Sequence, residues 1–194
     1  MERLASIERN TSETQIKLTF NLDGSGSCDS STGIGFFDHM LELFAVHGLF
    51  DLALKVTGDL HVDAHHTVED VGICLGQAIK QALGNATGIR RYASGMFPMD
   101  DALCTLAIDI GGRPFLKMDP LPVQQVGAFD SELVEEFFRA IVHNAGINVH
   151  VSWPHKGNLH HVIEALFKGF GRVLDEATQV DPRRSGVPST KGVL

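Results

Sequence analysis

Two identical clusters of histidine and glutamate stand out in this chain of 194 residues. Both read His-His-x-x-Glu; their members are His65, His66 and Glu69 in the first cluster and His160, His161 and Glu164 in the second, each displaced by 95 residues. On a helix, residues three or four apart share one face, so either histidine of a cluster can converge with its glutamate on one ion. Adjacent histidines point about 100° apart on such a helix, and we expect them to serve two different metal ions.

Together the clusters supply four imidazoles and two carboxylates. This donor set without thiolate suits Mn, Fe, Co, Ni or Zn, and open positions in a near-octahedral shell favour Mn or Fe over structural zinc. A single histidine is more often a packed or hydrogen-bonded residue, but two identical clusters at matching positions of a repeat favour metal ligation. The sequence alone leaves the identity of the metal open.

Three short segments offer the cations and hydroxyls that a phosphate group needs. They are Arg90-Arg91, Gly111-Gly112-Arg113-Pro114 and Pro188-Ser189-Thr190-Lys191-Gly192. The last combines hydroxyls, backbone N–H groups and an ammonium, which suits phosphate oxygens. Each segment taken alone is open to another interpretation, because basic pairs usually lie on solvated surfaces and C-terminal segments are often disordered.

The spacing of apolar residues predicts the elements that position these groups. In the first half, strands are expected over residues 14–22 and 50–57, with a short strand between them, and helices over residues 35–46 and 67–83. In the second half, strands are expected over residues 102–110, 114–118 and 147–153, and helices over residues 132–142 and 159–177. Both halves therefore read ββαβα.

The repeated order predicts an α+β fold built from two internally duplicated, pseudo-symmetric ββαβα halves whose sheets pack on helices. Residues 1–86 form the first half, and residues 87–194 form the second half with a phosphate-binding C-terminal tail. We expect the two halves to make one catalytic domain, joined through residues 84–95.

Composition excludes several classes of protein. Sixteen Lys and Arg against 24 Asp and Glu leave a net charge of −8, which argues against general affinity for nucleic acid or anionic membranes. The odd number of cysteines, without a Cys-x-x-Cys pair, predicts small core residues rather than a disulfide framework, and fits a reducing cytoplasm. No signal-like or membrane-spanning apolar run occurs. We expect a cytoplasmic protein with a small-molecule substrate and with neither nucleic-acid nor membrane partners.

Several longer motifs resemble those of the imidazoleglycerol-phosphate dehydratase family. They cover residues 36–41, 63–70, 158–168 and 188–192, with shorter matches at 88–92, 98–100 and 112–114 in the family's order. The resemblance, which runs from about residue 9 to residue 194, implies the fold of the second domain of ribosomal protein S5. It also implies conversion of D-erythro-imidazole glycerol phosphate to imidazole acetol phosphate and water in L-histidine biosynthesis.

The resemblance also implies cofactors, partners and residue roles. It implies two Mn(II) ions per active site, with Fe, Co or Zn as alternatives, and a homo-oligomer, an octahedral assembly of 24 subunits with active sites at subunit interfaces. The implied metal ligands are His39, His65, His66, Glu69, Glu136, His160, His161 and Glu164. The implied catalytic residues are Glu13, His65 and His161, and the implied substrate-binding residues are Glu13, Arg91, Arg113, Ser189 and Lys191. Glu136 stands where many members have histidine, and Leu43 where a substrate-contacting glutamine often lies.

The implied reaction needs an electron sink, because no carbonyl acidifies the C–H proton that is lost. Two metal ions on the ring nitrogens would hold the ring as an imidazolate that relays electrons while hydroxide departs, with Glu13 or a metal-bound group moving protons. A di-metal phosphate-ester hydrolase is the alternative, because the same parts serve that chemistry. A metal-storage shell fits less well, since ferritin-like sites place Glu-x-x-His motifs on long bundle helices.

Overall fold

In a computed structural model, which describes residues 3–192, the chain forms two four-stranded sheets, a short hairpin and four helices. The elements of the first half are β1 Leu4–Asn10, β2 Thr14–Asn21, β3 Cys28–Ser31, α1 Gly35–Gly48, β4 Asp51–Gly58 and α2 His65–Leu83. The elements of the second half are β5 Tyr92–Met99, β6 Ala102–Asp109, β7 Phe115–Met118, β8 Gln125–Val126, β9 Phe129–Asp130, α3 Glu132–Ala145, β10 Asn148–His155 and α4 Leu159–Thr178.

The two sheets have the same topology. Their strand orders are β1-β2-β4-β3 and β5-β6-β10-β7. In each sheet the first three strands pair antiparallel and the last pairs parallel with its neighbour. This shared pattern is what a duplicated supersecondary unit predicts.

The helices lie between the sheets and bury one continuous core. α2 packs on β1 and β2, and α4 packs on β5 and β6, while α1 pairs with α4 and α3 pairs with α2. Alternation along β2 directs Ile16, Leu18 and Phe20 toward the helices, where each is buried. Burial of such side chains supplies the main driving force for this arrangement.

Glycines allow the helix pairs to approach closely. A Cβ atom on Gly171 of α4 would lie 2.4 Å from the carbonyl oxygen of Phe44 in α1, and one on Gly76 of α2 would lie 2.7 Å from that of Ile141 in α3. Larger residues would therefore push the helices apart. The close packing sets how α2 lies against α3 and how α4 lies against α1, and α2 and α4 are the helices that carry the two histidine clusters.

The α+β class, with sheets packed on helices, is confirmed. Each half, however, begins with one strand more than the pattern predicted, β1 and β5 respectively. Only Ala5 of β1 is buried, and β5 contains Gly95 and Pro98, so neither strand shows a clear apolar alternation. Both are edge strands, where proline and short apolar faces are tolerated. Because β5 begins at Tyr92, the predicted join over residues 84–95 overlaps a strand, and the boundary after residue 86 stays a prediction.

The cysteines behave as small apolar residues where they are buried. Cys74 and Cys104 are fully enclosed, and burial raises the pKa of the Cys74 thiol to about 11 and that of Cys104 to about 12. Such thiols are poor nucleophiles at neutral pH. Cys28 is partly buried. Of the described helices, none has the length and apolar character needed to cross a membrane.

Candidate active site

The histidines of both clusters lie in the first turn of a helix, and α2 begins two residues before the start predicted from the apolar spacing. His65 begins α2 and His160 is the second residue of α4. In each case the backbone N–H donates to a side chain two residues earlier, from His65 to Asp63 Oδ1 at 2.7 Å and from His160 to Asn158 Oδ1 at 2.9 Å. These bonds satisfy helix N–H groups that otherwise lack partners. The two halves therefore share not only the His-His-x-x-Glu motif but also the hydrogen bond that begins each helix.

The second cluster meets α1 at a compact group that we call centre A, formed by His39, His160 and Glu164. Donor atoms of the three residues all lie within 4.8 Å of one another, and this is the one such group within residues 3–192. His160 Nε2 is 3.2 Å from Glu164 Oε2, so the i and i+4 members converge. Glu164 is buried, and the rings of His160 and Phe36 pack edge to face with their centroids 5.2 Å apart.

Lys168 balances the buried carboxylate of centre A. Its Nζ lies 2.5 Å from Glu164 Oε1, one helical turn further along α4. Burial opposes ionisation of Glu164, but the hydrogen bond and charge of Lys168, together with the nearby His160 and His39, outweigh it and hold the pKa of the carboxyl below its ordinary value. Glu164 is therefore ionised at neutral pH, as a metal ligand must be.

His65, Glu69 and Glu136 form a more open group, which we call centre B. His65 Nε2 is 3.9 Å from Glu69 Oε2. His65 and Glu136 line a cavity of about 250 Å³ together with Asp63, Asp130, Glu132 and others. Glu136 is the fifth residue of α3 and His39 is the fifth residue of α1. Centre B therefore occupies the positions of the repeat that match centre A. Glu136 takes the place of His39, and the neighbouring residues are more acidic.

The remaining histidine of each cluster turns toward a different carboxylate. His66 Nδ1 is 2.9 Å from Asp59 Oδ2, and His161 Nδ1 is 2.7 Å from Asp101 Oδ1. These hydrogen bonds raise the pKa of both histidines and lower the pKa of both aspartates. A neutral histidine that donates through Nδ1 presents the Nε2 lone pair, which is the arrangement that orients metal ligands in proteins.

Glu13 lies in the turn between β1 and β2, with its Oε1 3.8 Å from His66 Nε2. It immediately precedes β2, as Asp101 immediately precedes β6. The two carboxylates therefore occupy matching turns of the repeat, and each meets the histidine of its own half. Glu13 is exposed, so its carboxylate is accessible to a small molecule.

The four predicted phosphate-binding residues line one cavity of about 780 Å³, which we call the anion cavity. They are Arg91, Arg113, Ser189 and Lys191. The C-terminal segment reaches this cavity by running back along the start of the second half, where Gly88 N–H donates to the Gly186 carbonyl oxygen at 2.8 Å. Arg184 adds a further cation. The tail is thus held by specific contacts.

Arg91 is already engaged within the chain. Its Nε and Nη2 donate to Asp109 at 2.7 and 3.2 Å, and its Nη1 donates to the carbonyl oxygen of Pro188 at 2.8 Å. The hydrogen bonds to Asp109 raise the pKa of Arg91 further. Arg91 therefore fixes the tail beside Ser189, while Arg113 and Lys191 present their charges more openly to the cavity.

Sequence reasoning missed three residues that act on the predicted ligands, namely Asp59, Asp101 and Lys168. Each contacts a histidine or glutamate of the two clusters. Asp101 stands beside a match to the family motif at residues 98–100, and Lys168 is four residues after Glu164, so both had a signal in the sequence. Asp59 had none. Leu43 is partly buried and packs against the core.

The fold and these contacts define a class of protein. It is a duplicated α+β chain with one compact imidazole–carboxylate group, a more open group at the matching helix positions, and a separate cationic cavity.

Comparisons with known proteins name the family. The family model described as imidazoleglycerol-phosphate dehydratase matches residues 32–174. Over 195 aligned residues that cover all of both chains, the chain is 59% identical to the imidazoleglycerol-phosphate dehydratase of Acetivibrio thermocellus and 55% identical to that of Geobacter metallireducens. The chain belongs to the imidazoleglycerol-phosphate dehydratase family.

Solved structures agree with this assignment. The crystal structure of the dehydratase from Staphylococcus aureus superposes with a TM-score of 0.84 at 38% identity, covering 92% of this chain and 99% of that one. That of the Pyrococcus furiosus protein superposes with a TM-score of 0.82 at 32% identity, covering 97% of this chain and all of that one.

Proposed function

We propose that this chain dehydrates imidazole glycerol phosphate with the help of divalent metal ions, foremost Mn(II), held by centres A and B. The family supplies the reaction, a hydro-lyase step of histidine biosynthesis. The observation that carries the metal proposal is the convergence of His39, His160 and Glu164 in centre A. The free thiols are consistent with the proposed cytoplasmic location.

The donor sets fit the proposed ions. Two ligands at about 2.0–2.2 Å from one ion lie at most about 4.4 Å apart, so the spacing of up to 4.8 Å in centre A needs only small side-chain shifts. Centre A offers two nitrogens and one oxygen, and centre B one nitrogen and two oxygens. Such mixed sets without thiolate suit Mn(II) and leave Fe, Co and Zn as alternatives. His66 and His161, oriented through Nδ1, are the proposed further ligands through Nε2.

Bound divalent ions would supply Lewis acidity, which stabilises negative charge on the imidazole ring as the C–H proton leaves. The residues of this chain handle the proton. Glu13 reaches open solvent beside His66, so we assign it the transfer between the substrate carbon and the departing hydroxyl. Loss of hydroxide from the carbon attached to the ring and of the proton from the neighbouring hydroxyl-bearing carbon leaves an enol, which becomes the ketone.

Lys191, Arg113 and Ser189 are the proposed phosphate ligands, and Arg91 positions the tail that carries two of them. The anion cavity and the second histidine cluster lie at opposite ends of β5. The cavity adjoins Tyr92 at the start of the strand, and His161 contacts Asp101 just beyond its end. β5 has 8 residues, and at about 3.3 Å per residue its ends are about 23 Å apart. A single five-membered ring with a three-carbon phosphate chain does not span that distance.

The active site is therefore proposed to form between subunits, with the anion cavity of one chain facing the metal centres of another. This favours the homo-oligomer implied by the family resemblance, a closed octahedral assembly of 24 copies being the specific proposal. A monomeric form is then expected to bind metal ions but to turn over little substrate.

The variant Glu13→Gln tests the proton-transfer role. We expect it to abolish turnover while the metal content, measured by atomic emission after dialysis, is retained. Glu8→Gln is the matched control, because Glu8 is exposed on β1 and lies 3.7 Å from Lys17. Near-normal turnover of Glu13→Gln would remove Glu13 from the chemistry.

Product analysis separates the dehydratase from the alternative di-metal hydrolase. The dehydratase yields a ketone that retains its phosphate, whereas a phosphate-ester hydrolase releases free phosphate. Release of inorganic phosphate without a ketone would establish the alternative.

A further inference from the structure

A buried carboxylate lies directly behind the proposed proton-transfer residue. Asp70 of α2, next to Glu69, is 5% exposed. It accepts a hydrogen bond from Thr14 Oγ1 at 2.5 Å and pairs with Arg9 Nη2 at 2.9 Å. One side chain thus joins α2 to the last part of β1 and to the first residue of β2.

The turn between those two strands carries Glu13. Thr11 Oγ1 accepts hydrogen bonds from Glu13 N at 3.1 Å and from Thr14 N at 2.9 Å. The Glu13 carbonyl oxygen accepts a hydrogen bond from Asp59 N at 3.1 Å. The turn is therefore internally ordered, and the contact between Thr14 and Asp70 fixes it relative to α2, which carries His66.

The repeat provides an internal comparison. The counterpart of Asp70, displaced by the same 95 residues as the histidine clusters, is Ala165, and the counterpart of Thr14 as the first residue of its strand is Ala102. Both alanines are buried. The second half thus forms the same sheet and helix without an ionic group at these positions.

Burying a charged carboxylate costs solvation free energy that a packed apolar side chain does not. The second half forms the same unit without a buried carboxylate, so the fold itself does not need one. We therefore look for a feature of the first half that requires Asp70. The two turns differ there. In the second half Asp101 accepts hydrogen bonds from His161 and from the backbone N–H of Asn158. Glu13 lies 3.8 Å from His66, and its carboxylate makes no hydrogen bond to any residue between 3 and 192.

We propose that Asp70, together with Thr14 and Arg9, is a positioning group that holds the Glu13 turn at a fixed distance from His66. This inference rests on the proposed function of Glu13. The turn then holds Glu13 in one orientation toward the substrate. Its carboxylate needs no hydrogen bond to the protein for this, so it stays available for proton transfer. A displacement of about 1 Å at such a group can cost about 100-fold in rate.

The variant Thr14→Val tests the proposal, because it removes the hydroxyl at nearly constant volume and leaves Asp70 paired with Arg9. We expect kcat, normalised to the folded fraction, to fall about 10–100-fold, with KM and metal content within about threefold of the parent. Thr14→Ser retains the hydroxyl, and we expect it to restore most of kcat. Thr19→Val removes a hydroxyl elsewhere on β2, where Thr19 bonds Ser6, and is the matched control.

A merely structural role predicts a different pattern. A lower melting temperature for Thr14→Val with an unchanged kcat per folded chain would overturn the positioning role, and so would equal losses of kcat in Thr14→Val and Thr14→Ser. Normal kcat in Thr14→Val with an inactive Glu13→Gln would overturn the positioning role alone. Normal kcat in Glu13→Gln would overturn both this inference and the proposed proton transfer.

Discussion

Asp101 is the most informative residue to change, because it acts on a proposed metal ligand from outside the histidine clusters. Its two carboxylate oxygens accept separate hydrogen bonds, from His161 Nδ1 at 2.7 Å and from the backbone N–H of Asn158 at 2.9 Å. Both partners donate. An asparagine side chain has only one accepting oxygen, and its NH2 group is a donor. Whichever way the amide is turned, the NH2 group faces one of the two donors, so one of the two hydrogen bonds is lost.

The loss sets the expected magnitude for Asp101→Asn. Removing the partner that orients a metal-binding histidine typically costs about 10–100-fold in metal affinity or activity. The Asp101 side chain is 56% exposed, so solvent screens the interaction and we expect the lower end, about tenfold. Titration of chelator-stripped protein with Mn(II), followed by electron paramagnetic resonance of the free ion, measures this affinity directly.

Asp100→Asn is the matched control for Asp101→Asn. It removes the same charge from the adjacent residue, whose Oδ2 lies 3.8 Å from His161 Nε2, beyond hydrogen-bond distance. Asp100 has a positive φ of 45°, which asparagine tolerates well. We expect less than a threefold change in Mn(II) affinity. Equal effects of the two variants would refute the orienting role, since only the lost charge would then matter.

Three further predictions follow from the anion cavity, the helix packing and a turn. Lys191→Ala is expected to raise KM for the phosphate substrate with little change in kcat, and an unchanged KM in steady-state assays would exclude Lys191 from phosphate binding. Gly171→Ala is expected to lower the free energy of unfolding by about 1–3 kcal/mol in urea titrations, because its Cβ would lie 2.4 Å from the Phe44 carbonyl oxygen. Gly35→Ala is the control. A Cβ there would have nothing within 4 Å, so this variant is expected to be neutral or slightly stabilising. Backbone N–H groups of Ser25 and Ser27 donate to Asp51 and lower its pKa from the ordinary 3.8. The ionised carboxylate therefore stabilises the fold at pH values above 3.8. This stabilisation is lost as the pH falls through the lower pKa of Asp51 in the folded protein. Asp51→Asn should therefore reduce stability at neutral pH and converge with the parent in strong acid; a constant difference at all pH values would contradict this.

The proximity of histidine and glutamate within each repeated cluster was the most predictable part of the molecule. His65 and Glu69, like His160 and Glu164, are four residues apart, and the helix geometry that brings such residues together is local. The helical stripes and the alternating central strands were predictable for the same reason, since they depend on neighbours along the chain.

The edge strands and the orienting carboxylates were not predictable in this way. β1 and β5 carry few buried apolar side chains, so their pairing is decided by the neighbouring strand rather than by their own pattern. Asp59 meets His66 only because the end of β4 lies beside the start of α2. The role of Arg91 depends likewise on a tertiary contact, because Asp109 and Pro188 are distant from it in the sequence.

The most direct test of the central claim is turnover of imidazole glycerol phosphate by purified, chelator-stripped protein with and without added Mn(II). We predict negligible turnover without the metal ion and formation of imidazole acetol phosphate, with its phosphate retained, once Mn(II) is restored. Undiminished turnover in the stripped protein, or absence of the ketone despite stoichiometric bound Mn(II), would contradict the metal-dependent dehydration assigned to centres A and B.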